Sequence, residues 1–255
     1  VKRHTFQTYR RQKALNYSKL KKWEEAPIKA EQEDQDSPTF AFGRGSHALI
    51  LEGPDKFTKG FEVVDVGSRN TKAYKEAVQE TDKTVVLKHE VEKFQGMRDA
   101  VKAHKKAKSL LRECSAYWSE QFGEDWLAMK IRMDVFQPQR RIFVDLKTTT
   151  SASQKNFPKD IAKYGYGKQM AFYQRGLKEI TGEWFAPIIV AIEKEPPHLI
   201  GIYSLDADSL QHCRDWVQDK LTSYHSWLKQ PKGERRMGYD PRIFEVRLPQ
   251  WAFYE

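Results

Sequence analysis

Apolar and polar positions repeat along this chain with two different periods, and the switches between them mark out the elements. From Leu127 to Asp134 the period is two: Leu127, Met129, Ile131 and Met133 alternate with Ala128, Lys130, Arg132 and Asp134. Successive side chains of a strand point to opposite faces, so the pattern predicts a strand over 126–136 with Lys130, Arg132 and Asp134 on one face. Residues 113–118 and 141–149 also read as extended, the latter running from Ile142-Phe143-Val144 into Asp145, Leu146 and Lys147 after a turn at Gln137-Pro138-Gln139-Arg140. Strands are expected again over 185–193 and 198–205, joined through Glu195-Pro196-Pro197.

Helical spacing dominates elsewhere. Leu210, Cys213, Val217, Leu221, Tyr224 and Leu228 form one stripe of a helix over 206–229, and a second helix over 164–180 stops at Gly182. Ser37-Pro38 opens a helix over 39–51 that Glu52-Gly53-Pro54 ends, and Ser18 is placed to cap a short helix to Trp23 before Pro27. Residues 68–112, with Val85, Val86, Val91, Phe94, Met97 and Val101 among many lysines and glutamates, read mostly as helix, its run 104–108 exposed. A solvated helical face explains that run better than a phosphate-contacting one. The acidic patch 31–36 reads as a loop, and 239–251 as an irregular tail with exposed aromatics. With no internal repeat and no linker, the expectation is one α/β (α+β) domain over 1–255, its core about 15–230 and 231–255 peripheral.

Composition narrows the class. The 255 residues are 39% hydrophobic and 13% aromatic, enough for a buried core and too much for disorder throughout. No apolar run approaches the ~20 residues of a membrane span, and Val1-Lys2-Arg3-His4 is followed by no apolar signal segment. Two cysteines, Cys114 and Cys213, build neither a disulfide framework nor an all-cysteine metal cluster, so reducing cytoplasm is the expected compartment. Lys plus Arg outnumber Asp plus Glu 44 to 35, a net charge of +9 that points to a polyanionic partner, most simply nucleic acid.

The most informative chemistry is Asp134 followed by Asp145-Leu146-Lys147. On adjacent strands both acids reach the same edge, with the lysine beside them. Two carboxylates about 4 Å apart repel by roughly 4 kcal/mol at an effective dielectric of 20. A divalent cation between them relieves that repulsion, and oxygen ligands suit Mg²⁺ or Mn²⁺. Lys147 would then orient or help deprotonate an attacking water. An Asp-x-Lys taken alone reads more readily as a surface ion pair; the apolar run leading into Asp145 is what favours a site. His47, in Gly43-Arg44-Gly45-Ser46-His47, reads by itself as an ordinary core or surface histidine; Gln169 and Tyr173 share a helix face; Glu113 could be a direct or supporting carboxylate.

Taken in order, Gly43-x-x-x-His47, Glu113, Asp134, Asp145-x-Lys147 and Gln169-x-x-x-Tyr173 resemble the PD-(D/E)xK nuclease superfamily. Tyr117-Trp118, Lys130 to Asp134, Val144 to Thr149 and Gly165-Tyr166 with Gln169 to Tyr173 resemble, more narrowly, the exonuclease VIII (RecE-type) nuclease domain, over about residues 15–205. The resemblance implies a mixed central sheet flanked by helices, and an ATP-independent, Mg²⁺- or Mn²⁺-dependent enzyme. Such an enzyme degrades one strand of linear double-stranded DNA from its 5′ end, leaving 3′ overhangs for a single-strand annealing protein in phage-type recombination, in a bacterial or phage-infected cell. It implies a homo-oligomeric ring, trimeric or tetrameric.

By the same pattern His47, Asp134, Asp145 and the Leu146 carbonyl would hold metal, Lys147 would be the catalytic lysine, Glu113 the upstream acid, and Gln169 with Tyr173 the helix motif. Ser18, Arg44, Lys130, Arg132 and Gln169 are the expected DNA contacts. Two departures stand out: Met133 precedes the first acid where the family has proline, and the second acid is the shorter Asp145. The iron–sulfur exonuclease branch needs four cysteines and is set aside. A restriction-type endonuclease and a non-catalytic DNA-binding module on the same fold remain as alternatives, and a glycosidase reading leaves Lys147 without a role.

Overall fold

The computed structural model describes residues 6–32, 37–105, 107 and 114–253. The chain begins with three short helices, α1 (Phe6–Arg11), α2 (Tyr17–Glu25) and α3 (Pro27–Glu31). Asn16 caps α2 by accepting the Lys19 amide at 2.8 Å, so the expected cap Ser18 lies instead on the exposed surface of that helix. Helix α4 (Pro38–His47) opens as expected at Ser37, whose hydroxyl accepts the Phe40 amide at 3.2 Å. It runs into a wide π turn over Ala48–Glu52 that Gly53 ends at φ 91°, in the left-handed region that favours glycine. Then follow α5 (Pro54–Gly60), β1 (Phe61–Val64), α6 (Lys72–Glu80), β2 (Thr84–Leu87) and α7 (Lys88–Ala103).

One of those elements refines the sequence reading. Residues 68–112 are mostly helical, in α6 and α7, as expected, but between them Thr84–Leu87 is a strand that pairs in parallel with Phe61–Val64. A four-residue apolar run cannot be told from a helix turn by periodicity, and only the distant partner strand decides it. In the run 104–108, Lys105 is exposed but Ala107 is fully buried; Lys106 and Lys108 lie outside the described residues, as does most of the acidic patch.

The second half builds the sheet. Strands β3 (Cys114–Phe122) and β4 (Asp125–Met133) form an antiparallel ribbon. Strands β5 (Val135–Gln137) and β6 (Ile142–Thr149) follow; then α8 (Phe157–Tyr164), an unexpected helix, and α9 (Tyr166–Thr181), which Gly182 ends. Strands β7 (Ala186–Glu193) and β8 (Ile200–Tyr203) precede α10 (Ala207–Lys229), capped by Asp206 as its 3.6-residue stripe predicts. The central sheet runs β5-β6-β7-β8, with β6 parallel to β7 and both outer pairs antiparallel. The fold is therefore the expected mixed α/β one, helices packed on both faces of a mixed sheet.

Alternation along β6 divides the core in two. Phe143 packs with Phe172, Leu177, Trp118 and Leu221 on the side of α9 and α10. Val144 and Leu146 pack with Phe94, Met97, Ile50 and Val190 on the side of α4 and α7. Each such side chain contributes roughly 1.5–3 kcal/mol by leaving water. Helix α9 crosses β3 so closely that a Cβ on Gly176 would lie 2.6 Å from the Trp118 ring. No helix among the described residues is long and apolar enough to cross a membrane.

In the first turn of α7 a part-buried ion pair holds the β1–β2 region. Arg69 Nη2 donates to both oxygens of Glu90, at 2.9 and 2.7 Å, and Glu90 Oε2 also accepts the Leu87 amide at 3.0 Å. Removing the carboxylate leaves a half-buried guanidinium and a buried amide without it. Glu90→Ala is expected to cost about 3–5 kcal/mol in denaturant unfolding; a loss under about 1 kcal/mol would show the pair to be ornamental.

Candidate active site

Asp134 stands on the bend where β4 hands over to β5, and β6 runs beside it carrying Asp145, Leu146 and Lys147. Asp134 Oδ2 accepts the Leu146 backbone N–H at 2.5 Å, while its Oδ1 lies 3.5 Å from Nδ1 of His47, the last residue of α4. Because Leu146 points into the α4–α7 side of the core, Asp145 and Lys147 face α9. Lys147 Nζ is 2.5 Å from Asp145 Oδ2 and donates to Gln169 Oε1 at 2.9 Å; Gln169 Nε2 in turn donates to the Tyr173 hydroxyl at 2.9 Å. The same ammonium lies 4.6 Å from the centroid of the Tyr166 ring. Thr149 at the end of β6 donates to Asp160 on α8 at 2.8 Å, tying the helix pair to the strand.

Both carboxylates are nearly sealed from solvent, Asp134 at 7% and Asp145 at 4% exposure, yet they titrate in opposite directions. Burial alone raises each. At Asp134 the neighbouring His47, the Leu146 amide and Lys147 outweigh it and hold the acid below the usual carboxylate range. At Asp145 burial wins, with the like charge of Asp134 adding to it, and Lys147 only partly compensates, so its pKa is raised. Burial likewise pushes Tyr166 up to about 12 and Tyr173 far above its ordinary value.

The structure thus brings together His47, Asp134, Asp145, Leu146, Lys147, Gln169 and Tyr173. Lys130 is elsewhere, 5% exposed under α1, its ammonium donating to the carbonyls of Tyr9 at 2.7 Å and Gln12 at 2.8 Å. This corrects its assignment to a polar, DNA-facing strand surface: α1 covers that face. Arg132 is half-buried 3.9 Å from Glu52, Arg44 is half-buried on α4 one turn before His47, and Ser18 is exposed on α2. Glu113 lies outside the described residues. Tyr166, the residue after Gly165, entered the sequence reading only within the RecE-type resemblance and without a role; the fold sets its ring against Lys147.

Among the described residues no three His, Cys, Asp or Glu side chains converge into a group that could hold an ion. The donor chemistry nevertheless suits a hard divalent cation. Asp145 Oδ2 is buried against the Lys147 ammonium at 2.5 Å, and that one cation only partly offsets the cost of burying two neighbouring acids. A buried, undercompensated carboxylate beside a second one is where further positive charge would be most stabilising.

A model of the family described as a PDDEXK-like domain of unknown function (DUF3799) matches residues 14–236. Among solved structures, a candidate exonuclease from Eubacterium rectale superposes with a TM-score of 0.67 at 18% identity, covering 99% of this chain and 98% of its own, a likeness of fold alone. A second solved protein, SSO0001, is 14% identical over 74% of this chain and 88% of its own, with a TM-score of 0.33 that carries no argument. No curated protein matches the chain.

Around the site, burial raises the pKa of Tyr9, Tyr17 and Tyr173, and that of Tyr166 to about 12. The unfolded chain releases these protons near pH 10, the folded one only above it. Their stabilisation is therefore complete below pH 10 and is lost as pH climbs beyond it. Absorbance at 295 nm should show a delayed block of tyrosinate that appears together with the loss of helical circular dichroism. Smooth ionisation of all eleven tyrosines near pH 10, with the fold intact, would contradict this burial.

Proposed function

The chain belongs to the PDDEXK-like family of unknown function DUF3799, and from that membership we propose that it is a nuclease hydrolysing DNA phosphodiester bonds with a divalent ion. The observation carrying this reading is the bond from the Leu146 amide to Asp134, which sets one buried acid against the Asp145-Leu146-Lys147 segment. On this reading Asp134, Asp145, the Leu146 carbonyl and His47 would hold Mg²⁺ or Mn²⁺. Such an ion supplies positive charge against the phosphate and makes a nearby water more acidic.

The protein's own groups do the positioning. Gln169 accepts from Lys147 Nζ and is itself held by Tyr173, so the ammonium keeps one direction rather than the many its four-carbon stem allows. From there Lys147 Nζ can donate to an attacking water and steady it for in-line approach to phosphorus. Burial of both acids excludes bulk water from the reacting side and strengthens each charge–charge contact.

The finer proposal is a RecE-type enzyme: a 5′→3′ exonuclease on linear double-stranded DNA, acting as a ring of copies with a single-strand annealing protein. Its support is the ordered motif set from His47 to Tyr173, five short patterns in one chain. Phosphate contacts would dominate binding, giving slight sequence preference and a steep salt dependence.

Linear duplexes labelled at either end, with and without a 5′ phosphate, test this beside covalently closed circles and an EDTA control. Loss of label from the 5′ end, intact circles and full inhibition by EDTA are expected. Lys147→Ala should lower kcat by roughly 10²–10⁴-fold with unchanged circular dichroism. Nicked circles would replace the exonuclease by an endonuclease; undiminished cleavage by Lys147→Ala would remove the site assignment altogether.

A further inference from the structure

Tyr164 is the last residue of α8, and its residue surface is 44% exposed although its backbone is held from two sides. Lys21 Nζ donates to the Tyr164 carbonyl at 2.9 Å, and the hydroxyl of the buried Tyr17 donates to the carbonyl of Gly165 at 2.7 Å. Gly165 joins the two helices at φ 72°, and a Cβ there would lie 2.4 Å from the Tyr17 hydroxyl, so the turn is set by contacts that only glycine permits. This turn folds Tyr164 back onto Tyr166: the two rings stack with centroids 5.6 Å apart and planes 29° from parallel. The second ring is the one that lies 4.6 Å from the Lys147 ammonium.

A single exposed aromatic ordinarily needs no explanation. This one differs because its backbone is held at the α8–α9 turn and because its ring stacks on one that borders the active site. Two steps, of 4.6 and 5.6 Å, lead from the lysine to the exposed ring. That places it within about three stacked-base rises of 3.4 Å from the reacting phosphate's neighbourhood. Positive charge accompanies it: the ammonium of the exposed Lys163 lies over the ring, 5.3 Å from its centroid, so a base taking that face would move this side chain aside.

Building on the nuclease reading, we infer that Tyr164 is a stacking platform for an unpaired base of the strand held at the Asp145–Lys147 site, with Tyr166 as its fixed backing. A base inside a duplex has both faces covered by its neighbours. Only a terminal or opened base can offer a face to the ring, while Lys163, moved aside, meets a neighbouring phosphate. The platform therefore selects for a strand terminus or an opened strand near the cleavage point.

The test uses the full chain in EDTA, with an oligonucleotide carrying 2-aminopurine near its 5′ end, as a single strand and within a blunt duplex. Wild type and Tyr164→Phe should quench the 2-aminopurine; Tyr164→Ala should not, and should bind the single strand about 5- to 100-fold more weakly. Quenching in the duplex as well places a frayed terminus on the ring, whereas quenching in the single strand alone places an opened strand there. Tyr164→Ala that binds and quenches as wild type overturns the inference. Mg²⁺-driven hydrolysis by wild type is read in parallel: if it proceeds while Tyr164→Ala is unaffected, the platform alone falls. If wild type neither binds nor cleaves, the nuclease reading falls with it.

Discussion

Two carboxylates buried side by side are the constraint around which this molecule is arranged. Burial alone penalises the charge of each, and at Asp145 the charge of Asp134 adds to that penalty. The fold answers them unequally. Asp134 receives a backbone amide and an imidazole neighbour that more than offset its burial; Asp145 is met by the Lys147 ammonium, which offsets its burial only in part. That asymmetry separates a merely satisfied buried pair from a site still short of positive charge.

The sheet makes this asymmetry possible because β6 carries two jobs on alternate residues. Val144 and Leu146 complete the α4–α7 side of the core, while Phe143, Asp145 and Lys147 face α9. Register with β7, Asp145 opposite Ile189 and Lys147 opposite Ala191, holds that division. A slip by one residue would put Leu146 toward Gln169 and drive both charges into Phe94 and Met97, so packing and chemistry enforce the same pairing.

How far the sequence discloses this depends on where each signal lives. The α10 stripe, the Ser37 cap and the β6 run are local patterns, and all three stand nearly where periodicity and capping put them. His47, Asp134, Asp145, Lys147, Gln169 and Tyr173 of the ordered motif gather at one place because α4, β6 and α9 converge there; Glu113 lies outside the described residues. What was illegible depends on distant partners. The β1–β2 pair exists only through its parallel pairing, and the stacking of Tyr164 on Tyr166 needs a turn pinned by Tyr17, nearly 150 residues away.

Lys130 shows why charge is a weaker guide than geometry. Its neighbours in the strand pattern suggested a groove-facing cation, yet α1 lies across that face and directs its carbonyls at the ammonium. Burial lowers its pKa, with Lys19 and Arg10 adding to the effect, so those carbonyl bonds offset a real desolvation cost. Lys21 is similarly engaged with a backbone carbonyl, and Lys147 with Gln169. A net charge of +9 is thus not a footprint: part of it anchors the N-terminal helices and the active site. Lysines of α8 and of the loop before it stay in water, and one of them, Lys163, lies over the exposed Tyr164 ring, so positive charge and an exposed aromatic side chain coincide there.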